Sequence, residues 1–172
     1  MARLHRSHDL LLRYRLALVI GFMGALMTTG AIAMNDQIDR LPPCPSSPNC
    51  VCSDDADSSS HYIEPLISRG ADGSPGDYTQ AQQLLAAVAE YMSEQREYSV
   101  SRFQDDELRA EATTRILKFV DDIQMQVRGD RIFVRSASRV GYSDLGKNRR
   151  RIEAIRQAMV DKGLAFPQGQ TP

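Results

Sequence analysis

The sequence predicts an α+β fold of two layers, a four-stranded antiparallel sheet with two helices on one face, in the order α-β-β-β-β-α. Two observations lead there. Apolar residues recur at spacings of three and four in two stretches, 77–94 and 145–160, which bracket four strand-like runs. Between them, "DDIQMQVRGDRIFVRSAS" alternates apolar and polar residues on both sides of Gly129-Asp130, a pair suited to a two-residue hairpin turn with glycine first.

The chain opens with Arg3, Arg6, Arg13 and Arg15, followed by the uncharged, mainly apolar run "LALVIGFMGALMTTGAIA" from Leu16 to Ala33. This is the pattern of an export segment. Ala31-Ile32-Ala33 has the small-x-small form of a cleavage site, and the run is at the short limit for spanning a bilayer. Residues 1–33 are therefore read as a signal peptide or an N-terminal membrane anchor. Either way the domain lies outside the cytoplasm, periplasmic or held to the inner membrane, because the arginines favour the cytoplasmic side. Membrane contact is expected only through residues 16–33, and only if they are retained. Leu41-Pro42-Pro43 before Cys44 does not suit a lipoprotein.

Removing residues 1–33 takes four arginines and Asp9 from the 21 basic and 22 acidic residues, leaving 17 and 21, or about −4, on 139 residues. That balance excludes the basic field of a nucleic-acid binder. The length supports one modest core.

All three cysteines fall in "CPSSPNCVC", and an exported chain can oxidise them. Cys44 and Cys50 make a bridge that would staple a Pro/Ser-rich loop region, 34–76. Cys52 could replace Cys50, pair between molecules or stay free. Zinc is a poor fit, since Cys50-Val51-Cys52 is tighter than usual ligand spacing and His61 is the one histidine beyond residue 33. No metal and no cofactor is expected. "DDADSSS" and "SRGADGSPG" read as loops, with a possible strand in "HYIEPLIS" between them.

The α+β domain is placed at 77–164, with a flexible tail over 165–172. Its first helix starts at a capping box, Asp77 with Gln80 three residues on, and runs to about Glu94. Tyr98 to Phe103 is the first strand, and Glu107 to Leu117 the second, with Leu108, Ala110, Ala112, Thr114 and Ile116 on one face. The hairpin register sets Val127 opposite Ile132, Met125 opposite Val134, Ile123 opposite Ser136, and Asp121 opposite Ser138. The last helix, Leu145 to Val160, carries Leu145, Ile152, Ile155 and Met159 on its apolar stripe.

Asn148 falls within that stripe, where an amide is costly unless hydrogen-bonded. Arg149 and Arg151 flank it, while Lys147 and Arg150 point away. Alternation puts Asp121, Ser136 and Ser138 on the helix side of the sheet, and Asp122 and Arg135 on the other, so the adjacent aspartates cannot act as an acid/base pair. The result is a polar corner of Asp121, Ser136, Ser138, Asn148 and Arg149, joined by the turn through Gly141, Tyr142, Ser143 and Asp144. In its structural reading Asp144 or Ser143 caps the helix and Asp121 pairs with Arg149. In its functional reading Arg149 or Arg139, with the helix N-terminus, holds an anionic group.

"CPSSPNCVCS", "HYIEPL", "FVDDIQMQVRGDRIFVRSASR" and "VGYSDLGKNRRRIEAI" together resemble domain of unknown function family 1499, over roughly Pro43 to Leu164. The resemblance implies a Cys44–Cys50 pairing, because a serine commonly stands at the position of Cys52. It carries identities at Asp121, Asp122, Arg135, Ser136, Ser138, Arg139, Gly141, Asp144, Gly146, Asn148 and Arg149. It implies no activity.

The favoured expectation is a noncatalytic envelope protein that binds a small anionic ligand, a lipid headgroup or a protein partner through Asp121, Arg135, Ser136, Ser138, Arg139, Tyr142, Asp144, Asn148 and Arg149. One alternative is a hydrolase using Ser136 or Ser138 with His61 as base and Asp121 as orienting acid, which needs serine and histidine within hydrogen-bond reach. Another is an assembly role, through a Cys52 bridge between molecules or a retained anchor.

Overall fold

The computed structural model describes residues 40–170, all but Arg40 of them within one compact unit, Leu41–Pro172. The expected signal peptide or anchor, residues 1–33, lies outside the described residues. Among those described, no helix is long and apolar enough to cross a membrane.

Strands β1 (Cys50–Cys52) and β2 (Leu66–Ile67) precede helix α1 (Tyr78–Ser93); β3 (Tyr98–Gln104), β4 (Glu107–Thr113), β5 (Val120–Arg128) and β6 (Arg131–Ser138) follow, and α2 (Lys147–Asp161) comes last. The class is α+β and the sheet is open and antiparallel, but it has six strands where four were expected. Strands β3 to β6 form the expected meander. The two extra strands share the outer edge of β6, β1 against residues 135–137 and β2 against Arg131 and Ile132. Strand β1 comes from a stretch read as loop, and periodicity could not reveal it, since it is three residues long with every side chain buried, whereas the two-residue β2 lies within "HYIEPLIS", where a strand was expected. Beyond α2, Ala165 bridges Ser68 and the Phe166 amide donates to the Ile67 carbonyl, so the segment read as a tail begins packed along β2.

The β5–β6 hairpin has the expected register, from Asp121 opposite Ser138 to Val127 opposite Ile132. Gly129 takes φ 61° while Asp130 does not take a positive φ, as a two-residue turn with glycine first requires. The capping box of α1 is formed: the Asp77 carboxylate accepts from the amides of Thr79 and Gln80, and the Gln80 side chain accepts from the Asp77 amide.

Two boundaries differ from expectation. Strand β4 stops at Thr113 rather than Leu117, because the chain turns back to pair Thr113 with Val120. The turn is closed by Thr114, whose amide donates to the Phe119 carbonyl and whose hydroxyl accepts from the Phe119 amide, with Lys118 at φ 55°. Helix α2 begins at Lys147 rather than Leu145, because Leu145 and Gly146 both take left-handed backbone, φ 55° and 74°. Ile116 and Leu145, both assigned to apolar stripes, are consequently exposed.

One core joins both helices to one face of the sheet. Leu84, Leu85, Val88 and Met92 of α1 and Ile152, Ile155 and Met159 of α2 pack with Leu108, Ala110, Ile123, Met125, Val127, Ile132 and Val134. The opposite face is polar and half-exposed. There Arg128 pairs with Asp54 and lies 3.6 Å above the Phe133 ring.

A Cβ on Gly129 would meet no atom within 4 Å, so a substitution there is penalised by backbone conformation alone. Gly129→Ala is expected to destabilise the domain by about 1–2 kcal/mol in denaturant unfolding, with an unchanged denaturant slope.

Candidate functional site

The arginines of α2 answer a backbone problem. Residues 60–65 run beside the helix with little regular structure, and carbonyls buried there need donors. Arg149 donates to the carbonyls of Ser60 (2.9 Å) and Tyr62 (2.7 Å). Two turns further on, Arg156 donates to the carbonyls of Pro65 (2.9 Å) and Glu64, and also pairs with Glu153.

The polar corner is real, and its buried cation is Arg151. The Arg151 guanidinium pairs with the Asp121 carboxylate at 2.6 Å, their side chains 5% and 3% exposed. The expected Asp121–Arg149 pair does not form. At about 100° per residue Arg151 lies only about 60° from Asn148 on the helix, against about 100° for Arg149, so Arg151 is turned further toward the sheet. Arg151 also donates to the Asn148 side-chain oxygen (2.6 Å), which accepts the Ser136 hydroxyl as well (2.6 Å). The Asn148 amide nitrogen donates to the Ser138 hydroxyl (3.1 Å) and the Asn49 carbonyl (3.0 Å), and the Asn49 side chain donates to the Gly141 carbonyl (2.6 Å). Asn49 and Arg151 belong to this network although sequence reasoning named neither as a site residue. The helical wheel held a signal for Arg151; nothing local marked Asn49.

The start of α2 is likewise occupied. The amides of Gly146 and Asn148 donate to the Asp144 carboxylate, that of Lys147 to the Asp144 carbonyl, and that of Leu145 to the Ser143 hydroxyl. An anion at this helix N-terminus would have to displace a carboxylate already bound there. Nor do the other expected contributors converge on it. Arg139 is on the opposite sheet face, bound to Asp122 and Glu111, and its hydrogen bonds to those two carboxylates raise its pKa. Arg135 is on that face too, opposite Gln124 and Cys52. Tyr142 stands out in solvent, 76% exposed.

A small cavity of about 260 Å³ lies between the disulfide loop and α2, lined by Pro48, His61, Ser143 and Arg149 among others. His61 Nδ1 lies 3.0 Å from the Cys50 carbonyl, while the hydroxyls of Ser136 and Ser138 are engaged by Asn148. Among the described residues the His61 ring is hydrogen-bonded to neither Ser136 nor Ser138; the one bond between His61 and a serine runs from its backbone amide to the Ser59 hydroxyl (3.1 Å). The Cys44–Cys50 disulfide is formed, and Cys52 is a free thiol with no exposed surface. Burial, followed by the nearby carboxylates of Asp55 and Asp54, pushes its pKa up despite the hydrogen bond from the Asp54 amide. A bridge between molecules through Cys52 would require the region to open.

The larger concavity, about 870 Å³, is at the end of the sheet where the β4–β5 turn faces the β6–α2 loop. Asp121 and Ser138 reach its floor; Ile116, Leu117, Phe119, Val140 and Leu145 form its walls. Those five and Tyr142 make up six of the eight large apolar side chains exposed among the described residues. Lys118 and Leu145, the two non-glycine residues with positive φ among the described residues, are in these same two loops.

Three outcomes follow from the geometry. Arg151→Met should lower stability by about 3–5 kcal/mol, because it leaves Asp121 buried without its counter-charge, and adding Asp121→Leu should recover most of the loss. Arg149→Met, which removes hydrogen bonds near the surface, should cost about 1 kcal/mol in the same denaturant titration. Iodoacetamide at pH 8 should leave Cys52 unmodified in the folded protein and alkylate it after unfolding, as mass spectrometry would read. A raised thiol pKa means less thiolate at that pH than an ordinary cysteine has, so any residual rate should climb as pH increases.

The comparisons bear on the same stretch. No curated protein and no solved structure matches the chain. A family model described as "Protein of unknown function (DUF1499)" matches residues 40–159, which is 120 of the 172 residues and includes every element described above except the last two residues of α2. The chain belongs to the DUF1499 family.

Proposed function

We propose that the protein is an exported, noncatalytic binding domain that takes up an apolar or amphiphilic ligand at the end of its sheet, between the β4–β5 turn and the β6–α2 loop. The observation that carries this is the gathering of six exposed large apolar side chains in two loops, five of them lining one concavity over a closed polar floor. Exposed apolar clusters of this kind mark interaction sites, whereas scattered single residues do not. The polar corner supports the reading as a frame: its hydrogen bonds are made within the chain, so it holds the two loops and does not receive the ligand. Export is supported by the arginine-led apolar run at residues 3–33 and by the Cys44–Cys50 disulfide.

The test is photolabelling of the full chain in nonionic detergent micelles with a diazirine-bearing long-chain fatty acid, followed by peptide mapping. Label is expected in residues 114–119 and 140–147, reduced severalfold by Ile116→Asp with Leu145→Asp and unchanged by Arg149→Ala. Label confined to residues 16–33, or lost with Arg149→Ala and kept in the loop variant, would overturn the assignment.

A further inference from the structure

The apolar residues at this end are tips as well as walls. Ile116 is 89% exposed and Leu145 83%, and Tyr142, in the same loop as Leu145, is 76% exposed. A recess suits a small ligand or a protruding side chain of a partner, whereas crests from two adjacent loops suit a soft medium into which they can be pressed. Charge at the same end leans basic. Arg115, Lys118 and Lys147 surround the apolar tips and form no ion pair among the described residues, in contrast to Arg139, Arg128 and Arg151. Of the carboxylates lining the cleft, Asp121 is neutralised by Arg151, leaving Glu97 and Asp144, the latter held by the amides of α2, against Arg115, Lys147 and the neighbouring Lys118.

We infer that this end of the domain docks on an anionic lipid bilayer, seating Ile116, Tyr142 and Leu145 at the headgroup and acyl boundary with Arg115, Lys118 and Lys147 against the lipid phosphates. The inference rests on the cleft reading above and names the surface that the cleft faces. Apolar tips with a basic surround and a tyrosine at the boundary are the elements by which a peripheral surface holds an anionic membrane. A second copy of the chain fits less well, since a two-fold contact through this patch would bring its like-charged surround against itself. The other end of the sheet would not compete: its exposed Tyr78 and Phe103 are accompanied by Asp105 and Asp106, which an anionic surface repels. Membrane contact would then extend beyond the residues 16–33 to which the sequence confined it.

The chain contains no tryptophan, so Tyr142→Trp installs a unique fluorescent reporter at the docking surface. The full chain is reconstituted in vesicles of phosphatidylcholine and phosphatidylglycerol (about 3:1) carrying brominated acyl chains, which quench only a ring at the boundary. Blue-shifted, bromine-quenched emission is expected at position 142. It should be lost in phosphatidylcholine alone and in the variant Arg115→Glu, Lys118→Glu, Lys147→Glu, and should be absent from Tyr78→Trp in otherwise native chain. Leu145→Trp repeats the measurement should the first variant fail to fold. Unquenched emission at both loop positions, equal quenching in uncharged vesicles, equal quenching at position 78, or blue emission that tracks protein concentration without lipid would each overturn the inference. If the fatty-acid label still maps to the two loops in micelles, the cleft reading survives that failure; if the label is lost as well, both fall.

Discussion

The Asp121–Arg151 ion pair is the constraint from which the rest of this end of the molecule follows. A carboxylate and a guanidinium withdrawn from water are stable only when each is matched in charge and its remaining hydrogen-bond capacity is used. Matching them fixes a sequence of dependent positions. Arg151 must share its second arm with Asn148; Asn148 must face Ser136 and Ser138; and its amide must find the Asn49 carbonyl. Asn49 in turn holds Gly141, and it stands beside Cys50, one end of the disulfide. One buried charge pair thus ties α2, β5, β6, the disulfide loop and the β6–α2 loop into a single frame.

Most of the fold was legible because the elements that form the core are long and strongly periodic. The hairpin could be registered residue by residue, since period-two alternation leaves only one pairing that keeps Ile123, Met125, Val127, Ile132 and Val134 on one face. Short elements buried on every side, such as Cys50–Cys52, give no alternation and were invisible. In the candidate site, residue identity was easier to read than pairing. Asp121, Ser136, Ser138, Asp144 and Asn148 do meet, but the cation that joins them is two residues from the one assigned, on the other flank of Asn148. Asn49 is 72 residues away from Asp121 in sequence, and only the tertiary fold brings the two into one network.

The same arginine-rich helix serves three separate purposes, distinguishable only by partner. Arg149 and Arg156 supply donors to the carbonyls of residues 60–65, a task suited to a planar fork with several N–H groups. Arg151 neutralises a buried carboxylate. Lys147, at the first turn, has no ion-pair partner among the described residues and stands beside the apolar loops. The cost of cations near a helix N-terminus, roughly 0.3–1 kcal/mol each, is offset here by the Asp144 carboxylate seated on the terminal amides.

The two apolar residues that periodicity wrongly assigned to the core, Ile116 and Leu145, are the two most exposed large apolar side chains described. Such residues would normally be drawn inward, and two features prevent it. The space beneath them is taken by hydrogen-bonded polar groups, which apolar side chains cannot replace without leaving Asp121 or Asn148 unpaired. In addition, Leu145 and Lys118 are held with left-handed backbone, a conformation that costs a non-glycine residue of order 1 kcal/mol and persists only where its surroundings enforce it. The frame therefore keeps apolar surface in solvent that the chain could otherwise have buried. Disagreement between a sequence pattern and the fold it belongs to is expected where stability is not the only demand on the residues. That the disagreement is confined to the two loops around one cleft is the strongest reason to look for function there rather than in the closed polar corner below.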